Sequence, residues 1–439
     1  MNAAGPAGLR VAVVGAGPAG FYTAGALAAL RPDARIDLIE RLPTPYGLVR
    51  FGVAPDHQDT KKIQGLFEQI ALLPQLRFIG NVELGAAVSL AELRAHYDAV
   101  VLSCGAPHDA PLDIPGADLP GVYGAAQLVG WYNGHPDHAG LDPRLDHPGA
   151  VVIGNGNVAI DIARILSKSP DELASSDIAP YAMARIAQSV PGDVHVVGRR
   201  GPVEAKFTTG ELGELADLAQ AVALADPGEI PATAPDTLPV RDRKVKQKNL
   251  DLFHAFAAAD PARHARRIRF HFFARPLAIL GSERAEGVRF ERTRMEDGRA
   301  VGTGDTFDLA CGLVAYAIGY RPRPFEGLGA VADRLENDEG RIGPGIYVAG
   351  WLRRGPSGKI GTNRGDGEQV AARIAAEVAP AGRGGFEALA QLLNARGVRP
   401  TGFDDWKRIE AQETARATAG APRGKVTSVE EMLAICAAG

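Results

Sequence analysis

Cysteine is nearly missing from this chain. Three occur in 439 residues, Cys104, Cys311 and Cys436, and no two are close in sequence. Such spacing excludes a disulfide framework, a CxxC redox pair and a cysteine-ligated zinc or iron–sulfur motif. It suits a reducing, cytoplasmic compartment. The ten histidines contain no HExxH spacing, so no metal site is expected. Excess positive charge is missing too: 48 Lys and Arg stand against 52 Asp and Glu, a net −4. That is the wrong balance for a general nucleic-acid binder. A clean membrane span is lacking as well. Residues 8–30 are nearly uncharged, but Gly15, Gly17, Pro18 and Gly20 interrupt the run. A strand, a glycine turn and a helix explain it better, and the flanks lack the pattern of a signal peptide. Short solenoid-type repeats are absent.

What remains is an ordinary globular composition, 46% apolar and 23% charged. The length suggests two or three domains, each able to bury a core without metal or disulfide staples. The repeat that matters is a strand–glycine–helix unit, seen at LRVAVVGAGPAG and again about 140 residues later at AVVIGNGNVAIDIARIL. Between them, residues 41–60 read as an ordered, proline- and glycine-rich loop near a site. Residues 167–190 read as a helical insertion, 225–240 as an acidic loop, and 384–439 as a polar helical tail that says little about function on its own.

The first unit has the frame Gly15-Ala16-Gly17-Pro18-Ala19-Gly20, and Glu40 ends the following strand. Gly15 permits a tight turn, Gly17 lets the backbone approach a pyrophosphate, and Gly20 lets helix and strand pack. The helix N-terminus offers free N–H groups to phosphate. A carboxylate at Glu40 suits a ribose diol. A lone GxGxxG is weak, but here strand, helix and spaced acid coincide.

The second unit reads Gly154-Asn155-Gly156-Asn157-Val158-Ala159, and its next strand ends in Arg199 and Arg200 instead of an acid. Arginine there accommodates a 2′-phosphate, so NADP is expected over NAD. About 40 residues separate Ala159 from Arg199, twice the usual interval of roughly 20; the helical insertion accounts for the excess. Two dinucleotide sites in one chain suggest a flavoprotein, with FAD in the first and NADPH in the second. With no disulfide relay and no built-in iron–sulfur centre, the electron acceptor must be diffusible.

Five segments in order, VAVVGAGPAGFY, LPTPYGLVRFGVAPDH, IGNGNVAIDIARIL, VVGRRGP with FTTGEL, and AGWLRRGPSGKIGTN, resemble the adrenodoxin-reductase-like ferredoxin–NADP+ reductases. The resemblance covers nearly the whole chain. It implies an α/β flavoprotein of glutathione-reductase type with two Rossmann-like domains. The FAD domain would be discontinuous, 1–105 and 320–439, with the NADP domain, 106–319, inserted near Gly105 and Gly319. By motif, FAD would touch Gly15 to Gly20, Glu40, Leu48, Val82, Trp351, Gly358, Lys359 and Ile360. NADP would lie on Asn155, Gly156, Asn157, Val158, Arg199, Arg200, Glu211 and Gly358. The family often has an apolar residue where Lys359 stands, and the segment Arg364-Gly365-Asp366-Gly367 is unusual.

The resemblance also implies a polar couple of His57 and Glu214 that tunes NADP binding and proton supply beside the flavin. NADPH would reduce FAD, which would pass single electrons to a ferredoxin or adrenodoxin-like iron–sulfur protein. Two basic clusters could steer such an acidic partner: Arg241, Arg243, Lys244, Lys246 and Lys248, and Arg263, Arg266, Arg267 and Arg269. The expected protein is a monomer without membrane insertion. Two rival readings stay open: an NADPH oxidase or diaphorase with small-molecule acceptors, and an electron-transfer subunit of a larger complex.

Overall fold

The computed structural model describes residues 8–331 and 333–438. It divides into two units. The first takes the chain through His108, the short segment Asn133–Ala139, and everything from Tyr320 onward. The second is Asp109–Tyr132 with Gly140–Gly319. Segment 133–139, placed by sequence inside the NADP domain, thus belongs to the first unit. Gly105 and Gly319, near the two passages, both have positive φ, +70° and +128°.

The first unit is built on a six-stranded sheet. Its order is Arg341–Gly343, Ile346–Val348, Ala99–Leu102, Arg10–Val14, Arg35–Ile39, Leu76–Ile79. All neighbours are parallel except the edge pair 341–343 and 346–348. The central strands, VAVV, IDLI and AVVL, are buried on both faces, as parallel strands with helical cover are. Helix Pro18–Leu30 starts with proline at its first turn, where the missing N–H costs nothing. Helix Thr362–Glu377 packs along it.

That packing explains the unusual RGDG segment. A Cβ on Gly367 would come 2.7 Å from Thr23 N, so only glycine lets the two helices touch. Asp366 binds Arg353 at 3.3 Å and also Arg354, tying the WLRR turn to the helix. The tail forms three helices, Gly385–Ala395, Phe403–Ala415 and Val429–Ala437, and buries Trp406, Ile409 and Met432 in the first unit's core. The expected loop 41–60 contains two single-turn helices, Leu48–Phe51 and Gln58–Lys61.

The second unit has its own parallel six-stranded sheet, ordered Val122–Gly124, Leu313–Tyr316, Gly149–Ile153, Asp193–Val197, Arg266–His271, Ala221–Ala225. Three antiparallel strands, Ala274–Leu280, Gly287–Glu296 and Arg299–Ala310, form a separate sheet. The excess residues before Arg199 are helices Pro170–Leu173 and Pro180–Ala187. Phe253, Phe256, Phe270 and Phe272 pack ring against ring in the core.

Candidate dinucleotide cradles

In the first unit the chain leaves strand Arg10–Val14 through Gly15 at φ +107°. A Cβ there would sit 2.6 Å from Ser103 O, and one on Gly20 would overlap Gly15 O. These two glycines are demanded by the protein's own packing. Gly17 differs: a Cβ on it would meet nothing closer than Gly47 Cα at 4.0 Å. Its backbone stays bare on the side a phosphate would take. It caps helix Pro18–Leu30 without a side-chain hydrogen bond, so the first N–H groups remain for a ligand. Ala16 and Ala19 are buried.

Glu40 accepts from Ala16 N at 2.9 Å and from Leu42 N at 3.2 Å. Burial pushes its carboxyl upward, against the pull of those two N–H groups. Each oxygen keeps a second lone pair, enough to accept a diol. Buried Val82 is fixed by donating from its N–H to Glu40 O at 2.9 Å.

The PYGL turn lies on the glycine frame. Tyr46 N donates to Ala16 O at 2.8 Å, and a Cβ on Gly47 would come 3.0 Å from Gly17 Cα. Tyr46 and Gly47 both have positive φ, +83° and +49°. This turn presents Leu48, an apolar side chain left 48% exposed. The WLRRGPSGKI turn also reaches the frame: a Cβ on Gly350, at φ +68°, would come 2.6 Å from Ala19 Cβ. Trp351 is half-buried, stacks on Tyr320 at 5.7 Å and donates from Nε1 to Ser357 O at 3.1 Å. Gly358 turns at φ +84°, and Lys359 N donates to Thr362 Oγ1 at 3.1 Å. The Lys359 side chain is exposed and Ile360 half-buried. A bare glycine backbone, an ordered carboxylate and an exposed leucine on one frame fit an adenine dinucleotide cofactor such as FAD.

The second unit repeats the geometry. Gly154 turns at φ +148°, where a Cβ would come 2.5 Å from Ala317 O. Gly156 would meet nothing within 4 Å, and Ala159 is buried. Asn157 does not face outward freely: its Oδ1 accepts from Thr208 N at 2.8 Å, and its Nδ2 donates to Thr208 Oγ1 at 3.3 Å. Asn155 Nδ2 donates to Arg200 O at 3.4 Å, and its Oδ1 is buried without a partner among the described residues. Val158 packs against the core.

The backbone at 199–200 is pinned. Thr293 Oγ1 donates to Arg199 O at 2.7 Å and Phe273 N donates to Arg200 O at 3.4 Å. Among the described residues neither guanidinium has an ion pair. A fixed backbone presenting two uncompensated cations fits a 2′-phosphate.

His57 belongs to the first unit and Glu214 to the second. His57 caps helix Gln58–Lys61, and its N–H donates to Ala54 O at 3.0 Å. Glu214 opens the turn Glu214–Asp217 and lies 3.4 Å from Nε of buried Arg164, which also binds Asp161 at 2.7 Å. Glu211 is half-buried in helix Thr209–Gly213.

The basic clusters divide once pairing is visible. On helix Val240–Ala257, Arg243 binds Asp236 at 2.5 Å and Lys246 donates to Ala205 O. Arg241, Lys244 and Lys248 are exposed on one helical face and have no carboxylate partner among the described residues. In the second cluster Arg267 and Arg269 both bind Asp193, at 2.8 and 2.5 Å, and Arg266 donates to Lys168 O at 2.9 Å. Among the described residues no helix is long and apolar enough to cross a membrane.

Sequence reading missed the Gly47–Gly17 contact, Gly350, the Asn157–Thr208 lock and Asn155's amide. Only the PYG and AG-W glycines signalled any of them.

Residues 9–200 match the pyridine nucleotide-disulphide oxidoreductase family. Human mitochondrial NADPH:adrenodoxin oxidoreductase is 42% identical over 448 residues, covering 97% of this chain and 91% of that protein. A probable ferredoxin/ferredoxin--NADP reductase of Mycobacterium tuberculosis is 42% identical, covering 97% of this chain and 75% of that protein. The structure of Mycobacterium tuberculosis FprA in complex with NADPH aligns with a TM-score of 0.92 at 39% identity, covering 98% of this chain and all of that one. With both cradles in place and this likeness end to end, the chain belongs to the adrenodoxin-reductase-like ferredoxin–NADP+ reductases.

Proposed function

We propose that the chain is an FAD-dependent NADPH–ferredoxin reductase. The observation that carries this reading is the pair of glycine cradles on matching frames, one closed by Glu40 and the other by two unpaired arginines. Bound FAD and NADPH supply hydride transfer and the conversion of two electrons into single-electron steps. The residues do the rest. Gly15 to Gly20 hold the flavin dinucleotide's pyrophosphate, and Glu40 holds its ribose. Leu48, Val82, Trp351, Gly358, Lys359 and Ile360 line it. Asn155, Gly156, Asn157 and Val158 hold the second pyrophosphate; Arg199 and Arg200 select the 2′-phosphate. Glu211 faces the nicotinamide end with Gly358. We assign the FAD domain to 1–105 and 320–439 and the NADP domain to 106–319, except for segment 133–139, which packs with the first unit.

His57 and Glu214 act as a polar couple that tunes NADP binding and proton supply. An imidazole can both accept and donate a proton, and Glu214 lies 3.4 Å from Arg164 Nε within its own unit. If His57→Gln leaves hydride transfer and NADP affinity unchanged, the couple plays no part.

The partner is an acidic iron–sulfur protein, met by Arg241, Lys244 and Lys248. Arg243 adds less to the local positive field, because Asp236 offsets its charge at 2.5 Å. The relatives' names, adrenodoxin oxidoreductase and ferredoxin reductase, support this partner class. Free cysteines at all three positions suit a reducing compartment such as the cytoplasm. The test is NADPH-driven reduction of a ferredoxin against oxygen and dyes. Ferredoxin should win at low salt, and Arg241→Glu with Lys244→Glu should slow it several-fold. A reductase that prefers oxygen or dyes, unchanged by charge reversal, would be a diaphorase instead.

A further inference from the structure

The tail's hold on the first unit centres on one buried carboxylate. Glu413, on helix Phe403–Ala415, is 0% exposed, and Arg50, 363 residues earlier, is 2% exposed. The pair is bidentate: Arg50 Nη1 donates to Oε2 at 2.9 Å and Nη2 to Oε1 at 2.5 Å. Glu413 also accepts from Val426 N at 2.8 Å. Lys425 Nζ, likewise buried, donates to Arg50 O at 3.1 Å. The guanidinium lies over the Trp406 ring at 5.0 Å, and Trp406 meets Tyr46 edge-on at 5.7 Å. Further back, Thr401 Oγ1 donates to Pro43 O at 3.3 Å.

Apart from the Glu413–Val426 bond inside the tail, each of these contacts lands on residues 43–50, the stretch that lies on the Gly15–Gly20 frame and presents Leu48. The tail therefore grips the loop at both ends, at Pro43 and at Arg50, with Tyr46 between. Two residues of that loop, Tyr46 and Gly47, sit in the left-handed region, so the loop's shape needs external support.

We infer that the C-terminal tail is a strap that holds the flavin-facing loop in shape, with Glu413 as its anchor and a positioning residue for cofactor retention. The inference rests on the reading that the first cradle holds FAD. Glu413 touches no cofactor in this scheme; it acts through Arg50. An isosteric amide would leave Arg50's charge buried and uncompensated. A lysine at 50 would keep the charge but lose the two-pronged geometry that fixes the loop.

The test uses Glu413→Gln and Arg50→Lys holoenzymes. FAD release is followed by the rise in flavin fluorescence after dilution, and 2′,5′-ADP binding to the second unit is measured on the same samples. Both variants should release FAD at least about tenfold faster, or purify without it, while 2′,5′-ADP binding stays within about twofold. Where Glu413→Gln does not fold, Arg50→Lys decides. FAD release at the wild-type rate from a folded variant would overturn the strap. So would parallel loss of FAD and 2′,5′-ADP, which marks general destabilisation. A wild-type protein that carries no FAD would instead overturn the cofactor reading beneath it.

Discussion

The two units put different side chains on the same backbone. Gly15 N donates to Ile39 O at 2.7 Å, and Gly154 N donates to Val197 O at 2.9 Å. The registers Val14↔Ile39 and Ile153↔Val197 are equivalent. Glu40 and Gly198 therefore occupy the same place, each one residue past its strand. In the first unit that place holds the carboxylate. In the second it is empty of side chain, and Asn155's amide fills it: a Cβ on Gly198 would overlap that amide. One step further, Arg41 corresponds to Arg199. Arg41 is bound to Asp137 at 2.8 Å, whereas Arg199 is unpaired among the described residues. On the proposed reading, cofactor choice would depend less on where an arginine stands than on whether a carboxylate has already taken it.

The contrast reaches into the sheets. Ala12↔Asp37 and Val151↔His195 are again equivalent positions. Asp37 is buried and accepts from Tyr97 OH at 2.8 Å, and burial pushes its carboxyl up to about 6, against the pull of Tyr97. His195 Nδ1 lies 2.9 Å from His271 Nε2, and burial holds their rings down at about 4 and about 3.

The largest effect should come from removing the free cations. Arg199→Ala with Arg200→Ala should raise the KM for NADPH by about two orders of magnitude or more. Each charged hydrogen bond contributes about 1.5–3 kcal/mol. NADH kinetics should barely change. Next in size is an exchange of cradles. Gly198→Glu alone should impair both nucleotides, because the new side chain collides with Asn155. Paired with Asn155→Ala, it should raise kcat/KM for NADH about tenfold, since a bidentate ribose contact adds roughly 1–1.5 kcal/mol. No gain in the double variant would break the equivalence of Glu40 and Gly198.

The sheet positions should respond to pH in opposite senses. Asp37's carboxyl is raised on folding, so its contribution is present at low pH and lost as pH rises through about 6. Asp37→Asn should therefore stabilise the protein at pH 7 by about 2 kcal/mol, an advantage that vanishes towards pH 4. His195 is lowered on folding, so its contribution is present above about 6.5 and lost as pH falls towards 4. His195→Gln should gain on the wild type over that range. Thermal unfolding of both variants between pH 4 and 7.5 reads the two signs. Smallest of all, Arg41→Ala should leave the NADPH preference intact and cost no more than about 1 kcal/mol, since its pair with Asp137 is partly exposed.

Local pattern carried much of this into view from sequence. Strand, glycine turn, helix and terminal Glu40 lie within about thirty residues, and so does the Gly154 unit up to its helix. Pairing did not show, because it joins distant residues. Arg243 and Arg267 look alike in a charge run, yet Asp236 and Asp193 neutralise them across turns and strands. The RGDG segment had no local explanation; Thr23 and the two arginines of WLRR supply it. The tail looked uninformative because Glu413 meets Arg50 only in the folded unit. Segment 133–139 joins the first unit because Lys425 Nζ donates to Asn133 O at 3.0 Å and Arg41 binds Asp137, contacts that no window of sequence contains.

The most direct test of the two-cradle account is anaerobic bleaching of the purified yellow protein by NADPH and by NADH. Fast bleaching with NADPH and slow bleaching with NADH is the expected result. Equal rates would contradict the role given to Arg199 and Arg200, and no bleaching by either would contradict the second cradle as a working nicotinamide site.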